Sequence, residues 1–219
     1  MNTTIGNDPQ RRSLLKGSID LLCLVITTLL TLLFRLVVLL APGRKDTSYQ
    51  GFTQRLSLLP GLPGVFLRRA FARQTLLACG QDCHIGFGTV FATPDVVIHD
   101  RVYIGVYGNI GHADVGQDVL IGSNVTIMSG TRQHHFERSD IPINRQGGEY
   151  RRVTIGTDVW IGNGAILTTD VAAHAVVGAG SVVTKPVATY AIVAGNPAKV
   201  VGHRQDTVSS GDLGNTGSA

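Results

Sequence analysis

Aliphatic residues recur every six positions over much of the chain. In two runs, 98–127 and 155–183, eight of the ten intervals between successive aliphatics are six residues, one is five and one is four. A period of six fits neither one face of a helix nor an alternating strand. It is typical of a parallel β-helix, in which each short strand stacks on its equivalent one coil away. The members are Ile98, Ile104, Ile110, Val115, Ile121, Ile127, Ile155, Ile161, Leu167, Val171, Val177 and Val183.

The repeat also predicts how each coil closes. The aliphatic side chain points into the coil, and the Gly that often follows it is expected to let the backbone turn a corner. Gly is abundant (27 residues), whereas charged residues make up only 16% of the chain, so disorder is disfavoured. We predict a mainly β fold, a parallel β-helix over 81–204. The longest interruption of the six-residue rhythm lies between 128 and 152, and we expect a loop there.

An apolar stretch from 19 to 41 contains only two charged residues, Asp20 and Arg35. Its length matches the ~20 residues that a membrane-spanning helix needs. The favoured prediction is a spanning anchor, and the alternatives are a helix lying in one leaflet and a buried helix of a soluble protein. Basic residues after 41 outnumber those before 19, so the positive-inside rule places the main domain in the cytoplasm, at the cytoplasmic membrane.

The segments around this stretch are assigned by composition. Residues 1–18 are predicted to be a polar tail and 205–219, rich in Ser and Gly, a disordered tail. Residues 42–80 are expected to hold a linker with turns up to residue 64, followed by an amphipathic helix that Gly80 stops. This helix is basic, and it either caps the β-helix or rests on anionic headgroups. Its basic residues are Arg68, Arg69 and Arg73.

Charge and cysteine content exclude two classes of function. The net charge of +4 is modest, and no basic stripe interleaved with aromatics is present, so we expect no nucleic-acid partner. The three cysteines, Cys23, Cys79 and Cys83, form no disulfide framework and lack zinc-ligand spacing. We therefore expect reduced thiols.

Three stretches resemble the hexapeptide-repeat acyltransferases, most closely the O-acetyltransferases of galactosides, maltose, capsules and nodulation factors. They are Ile-Gly-Thr-Asp-Val-Trp-Ile-Gly at 155–162, Val-Gly-Ala-Gly-Ser-Val-Val-Thr-Lys at 177–185 and Val-Ala-Gly-Asn-Pro-Ala-Lys-Val-Val at 193–201. The resemblance implies a left-handed β-helix of triangular section, assembled as a homotrimer with active sites between neighbours. It also implies acetyl-CoA as co-substrate, no metal, and transfer of an acetyl group to a hydroxyl.

The acceptor is not named by these motifs. The membrane stretch favours a sugar in a surface polysaccharide or a lipid-linked glycan. A small soluble sugar, amino sugar or antibiotic is the alternative. Two other classes on the same fold are disfavoured: a γ-type carbonic anhydrase, because the adjacent His134 and His135 lack its ligand spacing, and a non-catalytic scaffold, because the C-terminal motif is intact.

The reaction needs a general base with a pKa near neutrality, and His is suited to that role. His134 and His135 lie in the loop that interrupts the repeat. By resemblance to the family's Ser-Gly-x-x-Gln-His loop, His134 is the favoured base and His135 the alternative. Glu149 is expected to orient the base, with a solvated loop acid as the alternative.

The resemblance also assigns the coenzyme A side. The Asn163 amide matches the donor near the thioester, and Trp160 lines the acceptor or pantetheine side. Ala179 is implied as a backbone contact to the pantetheine arm. Thr184 and Lys185 lie toward the nucleotide. Phosphate contacts are expected from Lys199, with Arg204 near it.

Overall fold

Three helices precede the β-helix in the computed structural model, which describes residues 9–204, with side chains from Gly17 onward. They are α1 (Pro9–Leu40), α2 (Lys45–Ser57) and α3 (Gly61–Thr75), with a short 3-10 turn at Pro42–Arg44. The predicted polar tail is helical from Pro9. Residues 1–8 and the predicted disordered tail at 205–219 lie outside the described residues.

Short parallel strands form the β-helix and visit three sheets in rotation. Their bounds are β1 (Ala78–Cys79), β2 (His84–Ile85), β3 (Val90–Phe91), β4 (Val97–Ile98), β5 (Tyr103–Ile104), β6 (Asn109–Ile110), β7 (Ala113–Val115), β8 (Leu120–Ile121), β9 (Thr126–Ile127), β10 (Val153–Ile155), β11 (Trp160–Ile161), β12 (Ile166–Leu167), β13 (Val176–Val177), β14 (Val182–Val183), β15 (Ala191–Ala194) and β16 (Lys199–His203).

Sheet A holds β1, β4, β7 and β10, sheet B holds β2, β5, β8, β11, β13 and β15, and sheet C holds β3, β6, β9, β12 and β14. Strand β16 pairs antiparallel with β15 and closes sheet B. The chain makes about six turns, which confirms the predicted left-handed parallel β-helix.

The repeating aliphatics stack in register inside the coils. Ile104 lies beside Ile121, which lies beside Ile161 on the next coil. All three are 0% exposed. Each coil therefore buries its aliphatics against equivalent residues above and below, and hydrophobic burial accumulates along the axis.

The corners form differently from the sequence interpretation. The Gly after each aliphatic does not turn the chain; the left-handed backbone falls two residues later, for example at Asn124 (φ +57°) after Gly122. The Gly is needed because consecutive coils touch there. A Cβ on Gly122 would lie 2.8 Å from the backbone nitrogen of Asn163 on the next coil.

Helix α2 corrects the prediction of a linker up to residue 64. The prolines on either side of α2 lie outside the helix: Pro42 precedes it and Pro60 follows it. Neither therefore interrupts its hydrogen bonds. Tyr49, Thr53 and Leu56 recur at helical spacing and are buried.

Helix α3 begins earlier and ends earlier than expected, because Leu76 adopts an extended backbone and β1 follows. It caps the end of the β-helix, and Arg68 and Arg69 are buried rather than free for headgroups. Arg68 Nε donates to the Ile85 carbonyl (2.9 Å) and its Nη1 donates to the Leu59 carbonyl (2.7 Å). Of the three predicted basic residues, Arg73 alone is exposed.

Helix α1 lies along α2 and α3 with an unusual distribution of side chains. The face toward the domain carries Cys23, Thr27, Thr31 and Phe34, all buried. The opposite side is apolar and exposed, and we call it the leucine face. It comprises Leu21, Leu22, Leu24, Val25, Ile26, Leu29, Leu32, Leu33, Leu36, Leu39 and Leu40. The stretch Gly17–Leu40 is long and apolar enough to cross a membrane.

Candidate active site

The loop at 128–152 leaves sheet C after β9 and enters sheet A at β10. Three backbone hydrogen bonds hold its arms together, the first from the Arg151 N–H to the Ser129 carbonyl (2.9 Å) at the base of the loop. The Glu149 N–H donates to the Arg132 carbonyl (2.8 Å), and the His135 N–H donates to the Gly147 carbonyl (3.0 Å). The His pair is therefore carried on one arm of a closed loop.

The arms approach closely at Gly148, where an added Cβ would lie 1.8 Å from the Gln133 carbonyl oxygen. At the far end, the Gln146 side chain accepts from the Arg138 N–H (3.1 Å) and donates to the Arg138 carbonyl (2.6 Å). The Arg138 guanidinium pairs with Asp140. These contacts fix the shape of a segment that lacks strands.

The base of the loop is anchored to the following coil. Arg151 donates to both carboxylate oxygens of Asp170 (2.9 and 3.0 Å). Asp170 also accepts from the Thr154 N–H (2.8 Å), just inside β10. The point where the loop rejoins the β-helix is thus held by a bidentate ion pair, which adds directional specificity.

The two loop histidines differ in environment. His134 is exposed, and within residues 9–204 neither its ring nor the Glu149 carboxylate forms a side-chain hydrogen bond or ion pair. His135 is half-buried, and its Nδ1 lies 3.9 Å from Glu137 Oε2. Hydrogen bonds from the Glu137 N–H and the Phe136 N–H to the Glu137 carboxylate hold its pKa below the usual range. The expected pairing of Glu149 with the base is not formed within this chain.

Two stacked turns carry the predicted thioester and pantetheine contacts. Asn163 and Ala179 occupy equivalent positions after β11 and β13, and neither backbone N–H has an acceptor in the described part of the chain. A Cβ on Gly162 would lie 2.5 Å from the Ala179 nitrogen, so the turns are in contact. The Asn163 side chain accepts from the Ser123 N–H (2.8 Å) and fixes its turn. The two amides are donors open to a ligand.

The remaining predicted contacts are exposed side chains. Trp160 lies on the outer surface of sheet B and is 56% exposed. Thr184 and Lys185 follow β14, and Lys199 begins β16. All three are accessible to a ligand.

Arg204 is engaged within the fold. Its Nη1 donates to Asp158 Oδ2 (2.8 Å) and to the His174 carbonyl (3.1 Å). The His174 ring stacks on Tyr190, with centroids 4.8 Å apart, and its Nδ1 lies 3.0 Å from Asp158 Oδ2. This cluster closes a corner of the coil. A phosphate contact by Arg204 would require it to leave these partners.

The two halves of the candidate site lie at different corners of one chain. Asn163 and Ala179 occupy the corner between sheets B and C, whereas the loop leaves the corner between sheets C and A. Thr184 and Lys185 share the loop's corner but lie two coils further along. Sheet C therefore separates the base of the loop from the free amides.

A cleft of about 510 Å³ runs beside the loop's corner, between the loop and α2. All but one of its lining residues have polar side chains, and they are Asp46, Gln50, Ala92, Thr93, Asp95, His112, Ser129, Gln133 and Tyr150. The loop contributes Gln133 and Tyr150 to one wall of the cleft, and α2 contributes Asp46 and Gln50 to the other. The arms of the loop thus form one side of a groove large enough for a sugar-sized ligand.

His112 lines this cleft and Arg152 contacts His112, and sequence reasoning missed both. Arg152 Nη2 lies 3.2 Å from His112 Nε2 and donates to the Asp95 carbonyl (3.2 Å). Because a guanidinium only donates, Nε2 accepts and the ring proton is on Nδ1. The Arg152 Nε is buried and has no partner among the described residues. One signal pointed here: the five-residue interval from Ile110 to Val115 contains His112.

Solved structures with the same fold are acetyltransferases. A maltose O-acetyltransferase from Clostridium difficile 630 superposes with a TM-score of 0.65 at 23% identity, over 73% of this chain and 86% of that chain. The fold is that of the hexapeptide-repeat acetyltransferases. No protein-family model and no curated protein sequence matches the chain.

Two further structures carry the same likeness. A galactoside acetyltransferase in complex with coenzyme A gives a TM-score of 0.61 at 21% identity, over 74% of this chain and 84% of that chain. A hexapeptide-repeat-containing acetyltransferase from Vibrio cholerae gives a TM-score of 0.59 at 20% identity, over 73% of this chain and 92% of that chain. The predicted fold is confirmed by all three.

Proposed function

We propose that this protein is an acetyl-CoA-dependent O-acetyltransferase that acts on a sugar hydroxyl of a surface polysaccharide or lipid-linked glycan. The observation that carries the proposal is the pair of open amides at Asn163 and Ala179, in register on consecutive coils. A backbone donor fixed in advance is what a developing thioester oxyanion needs. The likeness to acetyltransferases, one of them solved with coenzyme A, supports the same cofactor.

In this mechanism His134 takes the proton from the acceptor hydroxyl, and the hydroxyl oxygen attacks the thioester carbonyl carbon. The carbonyl oxygen becomes an oxyanion, which the Asn163 N–H stabilises. Collapse breaks the carbon–sulfur bond and expels coenzyme A, whose thiolate recovers the proton. No group bound covalently to the enzyme is required. His135 is the alternative base, and the orienting role of Glu149 remains a prediction.

The separation of the two halves supports a homotrimer. The loop and the open amides lie at different corners of one chain, with sheet C between them. A neighbouring chain related by rotation brings its own amides to the loop. Trp160, Thr184, Lys185 and Lys199 then line the coenzyme side, with the cation of Lys199 or Lys185 toward phosphate.

The acceptor is proposed to be membrane-resident because the cleft adjoins α1. Asp95 lines both the cleft and a second groove, of about 400 Å³, which Arg35 and Val38 of α1 also line. The Asp95 carboxylate is held by Lys45 (2.7 Å) at this boundary. We place the protein on the cytoplasmic membrane with its catalytic domain in the cytoplasm.

The test is to replace each histidine separately. His134→Ala is expected to lower turnover by roughly 100-fold or more, the range of a general base, while acetyl-CoA binding by calorimetry stays near wild-type. His135→Ala is the matched control on the same arm. Near-normal turnover in His134→Ala, with a large loss in His135→Ala, would move the base to His135. Near-normal turnover in both would refute general-base catalysis from this loop, and no binding of acetyl-CoA by wild-type protein would refute the cofactor.

A further inference from the structure

Helix α1 has its polar and apolar sides reversed relative to a helix of a water-soluble protein. Its buried face carries small and polar side chains, Cys23, Thr27 and Thr31, beside Phe34. Its leucine face is exposed, with Leu29 at 74%. A soluble protein buries the apolar stripe of a surface helix. Here the apolar side is the one left exposed.

Asp20, Thr27 and Thr28 of α1 are bound to α3 by their side chains. Asp20 forms an ion pair with Arg69, which is itself buried. Gln74 Nε2 donates to Thr27 Oγ1 (2.6 Å), and Thr28 Oγ1 lies 3.2 Å from Gln74 Oε1. The helix is thus oriented by polar contacts that direct the leucine face away from the domain.

The contact between α1 and the domain is continuous along the helix. It runs from Asp20, at Arg69, to Phe34, whose ring packs on Tyr49 (5.4 Å) of α2, and on to Val38. From residue 20 to residue 38 is about 27 Å at ~1.5 Å per residue. That is nearly the whole ~30 Å thickness of the hydrocarbon core.

A spanning helix is incompatible with this contact. If α1 crossed the bilayer, the elements beside it would enter the hydrocarbon, including Arg73 and the Lys45–Asp95 pair, whose side chains are 40% and 46% exposed. If α1 instead separated from the domain, it would uncover the aromatic cluster of Phe34 and Tyr49 and leave Arg69 without Asp20. Both alternatives expose groups that the structure keeps satisfied.

We infer that α1 lies in the plane of one leaflet, with the leucine face buried among the acyl chains and the β-helix resting on the headgroups. The occupant of the leucine face is therefore a lipid surface. Arg35 borders that face on α1 and Arg73 borders it on α3, beside Leu21 and Leu24, so both meet headgroup phosphates. The inference deepens the membrane attachment proposed above and is independent of the reaction.

Topology is tested with the full chain carrying different epitope tags at its two ends, expressed in a bacterial host. Protease is added to intact spheroplasts and to inverted membrane vesicles. An in-plane helix keeps both tags on one side, so both are cut in inverted vesicles and both survive in spheroplasts. A tag at the N-terminus that is cut only in spheroplasts means that α1 spans, and it overturns the inference.

Docking by the leucine face is tested by flotation with vesicles of three parts phosphatidylcholine to one part phosphatidylglycerol. The double variant Leu29→Gln with Leu36→Gln is expected to lose about tenfold in vesicle partition for each substitution. Val200→Gln with Val201→Gln, on exposed residues of β16, is the matched control and should float like wild-type. A thermal melt confirms that both variants are folded.

Three results would overturn the inference. If wild-type protein fails to float, α1 does not bind a lipid surface. The same protein can still transfer acetyl groups, so failure of membrane docking is distinguishable from failure of the proposed acetyltransferase activity. Equal flotation of the leucine-face variant and the control assigns binding to another surface. A change of oligomeric state in the leucine-face variant, with flotation unchanged, assigns the face to a second copy of the chain.

Discussion

Replacing Gly148 with Ala tests whether the two arms of the loop set the position of the base. An added Cβ would lie 1.8 Å from the Gln133 carbonyl oxygen and 2.9 Å from the His134 nitrogen. A carbon–oxygen contact needs about 3.3 Å, so the arms must separate by roughly 1.5 Å. A displacement of about 1 Å at a catalytic group costs on the order of 100-fold in rate. We expect a loss of that size in turnover.

The measurement is the release of free coenzyme A thiol from acetyl-CoA in the presence of membranes from the source organism. The melting temperature should change little, because the loop is exposed and outside the stacked core. Gly147→Ala is the matched control: its Cβ would meet nothing within 4 Å, although its φ of +80° makes Ala strained there. Gly148→Ala with wild-type turnover, or with no greater loss than Gly147→Ala, would show that the contact between the arms does not set the position of the base.

Three further predictions concern the coils. Ile161→Ala should lower the free energy of unfolding by about 2–5 kcal/mol, since Ile161 is 0% exposed. The control Ile166→Ala should lower it much less, because Ile166 is 37% exposed. Equal losses for the two variants in denaturant titrations would contradict the stacked core. Gly162→Ala places a Cβ 2.5 Å from the Ala179 nitrogen, so the KM for acetyl-CoA should rise about tenfold or more, and an unchanged KM would contradict the role of the two amides. Hydrogen bonds from His174 and Arg204 hold the pKa of Asp158 below its usual range. Their stabilisation is present above the unfolded pKa of about 4 and is lost as the pH falls through the lower folded pKa, so Asp158→Asn should flatten the acid side of a plot of melting temperature against pH. An unchanged plot would contradict that assignment.

The scaffold could be predicted because its signal is repeated. A six-residue period over two runs specifies which side chains stack, and Ile104, Ile121 and Ile161 do so in register. The loop could be located for the same reason, since it is the interval in which the period fails. The role of the Gly after each aliphatic could not be predicted, because contact between coils at Gly122 depends on the axial spacing of the backbone and not on local sequence.

The helices were predicted less well because their structure depends on tertiary contacts. The prolines on both sides of α2 suggested a linker. The helix is instead stabilised by the burial of Tyr49 against α1 and α3, which the local sequence does not reveal. Arg68 was predicted as a possible headgroup contact, whereas its guanidinium donates to the carbonyls of Ile85 and Leu59. The cleft was missed because His112 and Arg152 are distant in sequence and meet only when the coils stack.

The proposed shared active site combines the loop of one chain with the open amides of its neighbour. It is tested by co-expressing His134→Ala and Gly162→Ala chains under different tags, isolating the assemblies that carry both tags, and assaying them below the wild-type KM for acetyl-CoA. Each variant alone should keep about a tenth of the wild-type rate or less. The mixed assemblies should recover about a third of the wild-type rate, because every trimer that contains both kinds of chain has one site in three with an intact loop and an intact pair of amides. Mixed assemblies no more active than their parents would show that the site lies within one chain and would contradict a site shared between chains.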